Sequence, residues 1–480
     1  MQSAIRINRA DYQEGKRSPH SAAFAGLFFF TLLLYARPND TFPELLGTFP
    51  FVKIVAIITL LAYFASKISL AEPLTIWPIE LKMLAIITLL GVAFIPIAAS
   101  PKDSIDLLAD TFLKVATIFV LMINLLDSRE RLRSIIKLAV ICGTVLAVLA
   151  ILTYMQGKFT VVTRGEDYGV AAERITGAVG GIFGNPNDLA TSFDLLIPLA
   201  AALAFMRRGL ARAAYFTCAL LLSIGVVVTF SRGGFLGLVA SVGWVVWKMG
   251  RRNRALTVIA FVFLLGIFMV VMPSGYSSRI TSIFDSSSDP TGSSQARIDL
   301  LERASDIASN HLIFGVGIGN YTIYSLHEQR AHNSFLEISA ELGVTGLLAY
   351  LIMIFAPLRS LRRIGRETVA SRESGAGQDQ NALETYYLSA AFQASLLAYI
   401  VCSCFGSIQY LWFLYYPLAY AVSLRRIHEA EALAAEESAP AMKVVQARPR
   451  AVLWKPHQRR KQAPALAAMA EDSEAHTTNS

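Results

Sequence analysis

Residues Ala139-Val-Ile-Cys-Gly-Thr-Val-Leu-Ala-Val-Leu-Ala-Ile-Leu152 carry no charge, and the segment around them, 134–155, is long enough to cross a bilayer as one helix. The pattern recurs from Phe51 to Ala65, Leu84 to Ala99 and Ala255 to Met272. Over the 480 residues, 54% are hydrophobic and 16% charged, against about 25% charged in a soluble globular protein. This composition argues against an ordinary cytosolic enzyme and predicts an all-α polytopic membrane protein.

Working outward, the hydropathy predicts about twelve transmembrane helices near 21–36, 49–66, 81–99, 107–126, 134–155, 189–206, 213–230, 233–247, 255–272, 335–357, 385–405 and 408–424. An even number puts both termini on one side. With residues 1–20 in the cytoplasm, 31 of the 43 Lys and Arg residues fall on that side and 11 on the other, with Lys114 inside a span. Residues 1–20 are polar and basic, and no small-residue cleavage pattern follows the first apolar run, so the first helix is expected to stay in the protein. Residues 21–427 form the predicted bundle, and 428–480, without apolar periodicity, read as a disordered cytoplasmic tail.

The net charge of +8 sits in short clusters such as Arg251-Arg252-Asn253-Arg254 beside helix ends, where it sets topology and meets anionic membrane lipids; no nucleic-acid partner is implied. All four cysteines (Cys142, Cys218, Cys402, Cys404) lie in apolar blocks, which disfavours a disulfide scaffold and a zinc site. No repeat of fixed period is evident, a weak argument against inverted-repeat transporters.

Two outer segments, 156–188 and 273–334, exceed simple turns. The second is a large loop expected to carry short amphipathic helices. In it Ile298, Leu301, Ala304 and Ile307 share a helical face beginning near Ser293 or Ser294, either lying on the membrane or packed on the bundle as a lid. Arg297 falls in the first turn of that helix, a place suited to a phosphate.

Thr229-Phe-Ser-Arg-Gly-Gly-Phe235 separates two apolar arms, the second of which, 13 residues, spans only about 20 Å. Arg232 is thus expected at or below the outer interface, either snorkelling to headgroups or facing an anion in a wet cavity that Gly233 and Gly234 would let the backbone approach. His332 opens Ala331-His-Asn-Ser-Phe-Leu-Glu337, where Asn333 and Ser334 can cap the next helix and leave the imidazole free. Glu337 and Glu341 follow on one helical face inside the apolar layer. Arg174 opens Arg174-Ile-Thr-Gly-Ala-Val-Gly-Gly-Ile-Phe-Gly-Asn-Pro-Asn187, dense in turn residues, in which Arg174, Asn185 and Asn187 are candidate sugar or phosphate contacts.

Taken together, Arg174 to Ala190, Ser231-Arg232-Gly233-Gly234, Arg297 with its amphipathic helix, Phe314-Gly-Val-Gly-Ile-Gly-Asn-Tyr321 and His332-Asn-Ser-Phe-Leu-Glu337 with Glu341-Leu-Gly-Val-Thr-Gly346 resemble the O-antigen ligase and polymerase superfamily. The resemblance covers about 174–361. It implies a bacterial inner-membrane glycosyltransferase using an undecaprenyl-diphosphate-linked glycan at the periplasmic face, with 156–188 and 273–334 as periplasmic loops. Arg232 and Arg297 would hold the lipid diphosphate, and His332 would take part in catalysis. The catalytic set expected is His332, Arg232, Arg297 and Glu337, with Arg174, Asn185, Asn187, Ser231 and Asn333 as substrate-binding residues. Glu337 or Glu341 would orient His332, or bind Arg232.

No metal or other cofactor is expected. The acceptor implied is lipid A core, a growing glycan or a protein hydroxyl, and a chain-length regulator or other polysaccharide-assembly proteins are the expected partners. The competing class is a flippase or transporter of lipid-linked saccharide, which would gain if Lys114, Asp110 and Asp194 formed one path with Arg232.

Overall fold

The computed structural model describes residues 19–41, 44, 49–157, 160–162, 172–174, 183–249, 293–373 and 380–446. Its helices are α1 (Ser21–Ala36), α2 (Phe51–Ser69), α3 (Ile79–Ala93), α4 (Pro101–Leu107), α5 (Leu113–Leu125), α6 (Arg129–Met155), α7 (Pro186–Phe205), α8 (Gly209–Val228), α9 (Arg232–Met249), α10 (Ser293–Asn310), α11 (Ser334–Glu373), α12 (Gln380–Ser403) and α13 (Trp412–Gln446). A π-helical turn, Leu108–Phe112, joins α4 to α5. The short antiparallel pair β1 (Thr160–Val162) and β2 (Ala172–Arg174) stands between α6 and α7.

Among the described residues, seven helices (α2, α3, α6, α7, α8, α11 and α12) are long and apolar enough to cross a membrane. The expected spans near 21–36, 107–126, 233–247 and 408–424 coincide with α1, α5, α9 and α13, while 255–272 lies outside the described residues.

Capping sets where several helices begin. Ser100, Ser128 and Asn185 accept N–H groups of the first turns of α4, α6 and α7. Hydroxyls within the apolar helices return to the preceding turn, as Thr144 Oγ1 does to Val140 O at 2.7 Å, so few are left exposed to an apolar surround.

The core centres on α7. Of its apolar stretch, 89% is buried against protein, compared with 17% in α2, which presents most of its surface outward. It packs on α6, α8, α9 and α12, and small residues let these helices come close. A Cβ on Gly143 would sit 2.2 Å from Leu196 Cδ1, and one on Gly225 2.9 Å from Phe193. Aromatic rings tie α1 to α13 and to the approach to α7: Trp412 meets Tyr35 at 5.6 Å and Phe183 at 6.0 Å.

By contacts the chain divides into Met1–Glu431 and Ala432–Ser480. In the second unit the described residues are helical as far as Gln446, so the stretch expected to be disordered from 428 begins as helix.

Candidate functional site

Three helix beginnings meet at one end of the bundle. Ser231 Oγ accepts the Gly234 N–H at 3.1 Å, capping α9, and donates to Asn187 Oδ1 at 2.8 Å in the first turn of α7. Asn185, at the cap of α7, accepts the Asn187 N–H at 2.8 Å. Asn333 Oδ1 accepts the N–H groups of Phe335 and Leu336 at 3.0 and 3.1 Å, capping α11.

The segment between α12 and α13 links α9 to α11. Phe405 lies against Gly233, where a Cβ would be 2.8 Å from the Phe405 Cβ. Beside it, Ser334 Oγ donates to Gly406 O at 2.7 Å and accepts the Ile408 N–H at 2.9 Å. Arg232 and His332 therefore flank one connected patch of caps and turns. Both are half-buried, and His332 holds φ = 52°, a left-handed conformation uncommon for a side chain this size.

The two glycines after Arg232 do other work than expected. Gly234 faces Ala190, at 2.5 Å from a built Cβ, and Gly233 faces Phe405, so they pack α9 against its neighbours and do not open the backbone to a ligand. Asn185 and Asn333 likewise use their side-chain oxygens as caps.

Glu337, fully buried, accepts from Arg330 Nε at 2.6 Å, Gln409 Nε2 at 2.9 Å, the Ala331 N–H at 3.2 Å and Ser407 Oγ. Its ion-pair partner is Arg330, on the loop leading to His332. Burial works against the Arg330 charge, but the Glu337 carboxylate more than offsets it and raises the guanidinium's pKa. Glu341 accepts from Tyr410 Oη at 2.7 Å and from the Tyr321 N–H at 3.3 Å.

A backbone interlock sets the position of both acids. Gly343 interrupts α11 with φ = 65° and ψ = −168°. The break frees the carbonyls of Ala340 and Glu341, which accept the N–H groups of Val316 and Gly317 at 2.9 and 3.0 Å, while the Val344 N–H donates to Leu312 O at 2.8 Å. Gly315, Gly317 and Gly319, all at positive φ, carry the chain past the break. Asn320 then fastens this loop to the start of α4, accepting the Ser100 N–H at 2.6 Å and donating to Ser104 Oγ at 2.8 Å.

On α10 the buried face is Leu300, Ala304, Ile307 and Ala308, with Leu301 half-buried and Ile298 38% exposed. The face expected through Ile298 and Leu301 is thus rotated, and the helix packs on α11 beside Ala340 and Val316, as a lid would. Arg297 is half-buried in its early turns. Arg174 lies in β2 opposite Thr160; residues 175–182, which lead from it toward α7, lie outside the described residues.

Lys114 and Asp110 pair with each other at 2.9 Å on an exposed surface, while Asp194 is fully buried beside Cys402 and Gly237. The three share no common environment. Arg330, Ser407, Gln409 and Tyr410 are the residues that sequence reasoning missed. The signal available was polar residues punctuating an apolar stretch at 407–410, and an arginine two positions before His332.

No curated protein matches the chain. The model of a family described as O-antigen ligase matches residues 217–351, from α8 through α9 and α10 into α11, a segment holding Arg232, Arg297, His332, Glu337, the glycine loop and the Gly343 break. The match falls on the elements that build the patch, so over this segment the chain is similar to the O-antigen ligase family.

Proposed function

We propose that this protein is a twelve-span inner-membrane glycosyltransferase that moves a glycan from an undecaprenyl-diphosphate-linked donor to an acceptor hydroxyl at the periplasmic face, in the assembly of lipopolysaccharide O-antigen or exopolysaccharide. The observation that carries the reading is the meeting of the N-termini of α7, α9 and α11 beside Arg232 and His332. Helix N-termini and a guanidinium favour a diphosphate.

In the proposed reaction the acceptor oxygen attacks the anomeric carbon with inversion as the bond to the diphosphate breaks. The departing diphosphate keeps the electron pair, and its charge is met by Arg232, Arg297 and the helix ends without a metal. The acceptor proton passes to His332. In this reading Ser231, Asn187 and Arg174 contact the donor's sugar or phosphate groups. Arg330 and Glu337 hold the loop that presents His332.

Reconstitution in liposomes with undecaprenyl-diphosphate-linked glycan, with and without lipid A core, tests this reading. Transfer to the core identifies a ligase and a ladder of lengthening lipid-linked chains a polymerase. Donor crossing the bilayer with no new glycosidic bond refutes glycosyl transfer. His332→Ala is expected to abolish transfer while leaving donor binding largely intact, whereas Arg232→Ala and Arg297→Ala weaken donor binding.

A further inference from the structure

At the other end of α9, sixteen residues and about 24 Å of helix from Arg232, lies a second polar site. A cavity of about 190 Å³ opens between α9, α11 and α12, and among the described residues lining it none is acidic. Three are cations: Lys248, Arg362 and Arg366. Lys248 Nζ and Arg362 Cζ both lie over the Trp244 ring, at 5.3 and 5.9 Å from its centroid, so two positive charges share one aromatic anchor. Arg362 and Arg366 are exposed and accessible to an incoming group.

Gln393 supplies a second, different requirement. It lines the same cavity while 3% exposed, and its Nε2 donates to Ser389 O at 3.0 Å, but its Oε1 is buried with no hydrogen-bond partner among the described residues. A buried acceptor left unmatched calls for a donor. Gly365 keeps the wall bare, since a Cβ there would stand 3.2 Å from Ser389 Oγ. The cavity has the volume of several waters at about 30 Å³ each, enough for a phosphate ester carrying a hydroxyl.

We propose that this cavity binds the headgroup of an anionic, hydroxylated phospholipid such as phosphatidylglycerol, the phosphodiester seated on Lys248, Arg362 and Arg366 and a headgroup hydroxyl donating to Gln393 Oε1. Basic pockets between membrane helices suit such headgroups. The lysine and arginine distribution puts this end in the cytoplasm, so the lipid would come from the inner leaflet, opposite the glycan chemistry and independent of it.

The test is lipid binding by the purified, delipidated full-length chain, followed by native mass spectrometry, with phosphatidylglycerol, phosphatidylcholine and inorganic phosphate as probes. Phosphatidylglycerol is expected to bind about tenfold more tightly than phosphatidylcholine. In Arg362→Gln/Arg366→Gln the preference falls below about twofold. Arg363→Gln, whose guanidinium faces Glu367 and Glu429, leaves it unchanged and serves as the folded control. Equal binding of the two lipids by the wild-type chain, or a preference that survives the double substitution, overturns the proposal. Thermal stabilisation by inorganic phosphate equal to that by phosphatidylglycerol overturns the lipid assignment.

Discussion

Glu337 shows how a carboxylate is accommodated in an apolar surround. Among the described residues four donors converge on it, and of these Arg330 brings a compensating charge. Removing that charge strands a buried anion, which in a fully enclosed pair costs about 3–5 kcal/mol. The Arg330 side chain is 45% exposed, so Arg330→Met is expected to cost less, about 2–3 kcal/mol, read as a lowered unfolding midpoint in detergent. Adding Glu337→Gln removes the stranded charge while keeping an acceptor for Ser407, and the double variant should be more stable than Arg330→Met alone. His332 can be separated from the fold in a similar way. At φ = 52° asparagine is well tolerated, so His332→Asn is expected to leave the unfolding midpoint unchanged while transfer falls at least about 100-fold. A loss of activity that merely tracked a loss of folded protein would remove the imidazole from the chemistry.

Among the elements, α11 and the glycine loop interlock chiefly through main-chain hydrogen bonds. A Cβ at Gly343 would be 2.3 Å from Ile313 O, and one at Gly315 2.3 Å from Glu341 O, both at positive φ. Left-handed strain of about 1–2 kcal/mol adds to an overpacking cost of similar size, so Gly343→Ala should destabilise by at least about 2 kcal/mol in chemical unfolding. Gly243→Ala on α9, where no atom of the described residues lies within 4 Å of the new methyl, should instead gain about 0.5–1 kcal/mol. The same contrast explains what could be read from the sequence. The apolar runs behind α2, α6 or α12 announce themselves, because each helix carries its own burial pattern. Resemblance drew attention to the glycine loop and to Glu341-Leu-Gly-Val-Thr-Gly346, but not to their pairing. Hydrogen bonds between 312–317 and 340–344 depend on main-chain atoms far apart in the chain, which side-chain periodicity does not encode. On α10 the helix was legible and its buried face was not. Leu300 and Leu301 are both apolar, and only the packing of Ala304 and Ile307 against α11 selects Leu300.

Across the whole molecule the two ends are held differently. At the end assigned to the cytoplasm, ion pairs bind helix to helix: Arg425 grips Glu80 with two bonds of 2.8 and 2.9 Å, Arg129 meets Glu431 at 2.6 Å, and Arg133 meets Glu384 at 3.2 Å. At the other end, caps, carbonyls and glycines join α7, α9, α11 and the 404–409 segment. Cys404 offers a direct check of which end faces out. It is an exposed free thiol in the turn that seats Ser334, and its carbonyl accepts from Asn333 Nδ2 at 3.5 Å. A membrane-impermeant maleimide added to intact spheroplasts should therefore label it, whereas Cys402, buried beside Asp194, should stay unlabelled. Partial burial raises the Cys404 pKa above the ordinary thiol value. The reactive thiolate is thus scarce at neutral pH, and labelling should accelerate as the pH is raised. Cys404→Ser should abolish the signal. If labelling appears only after the membrane is permeabilised, the orientation is reversed, and with it the periplasmic placement of Arg232 and His332.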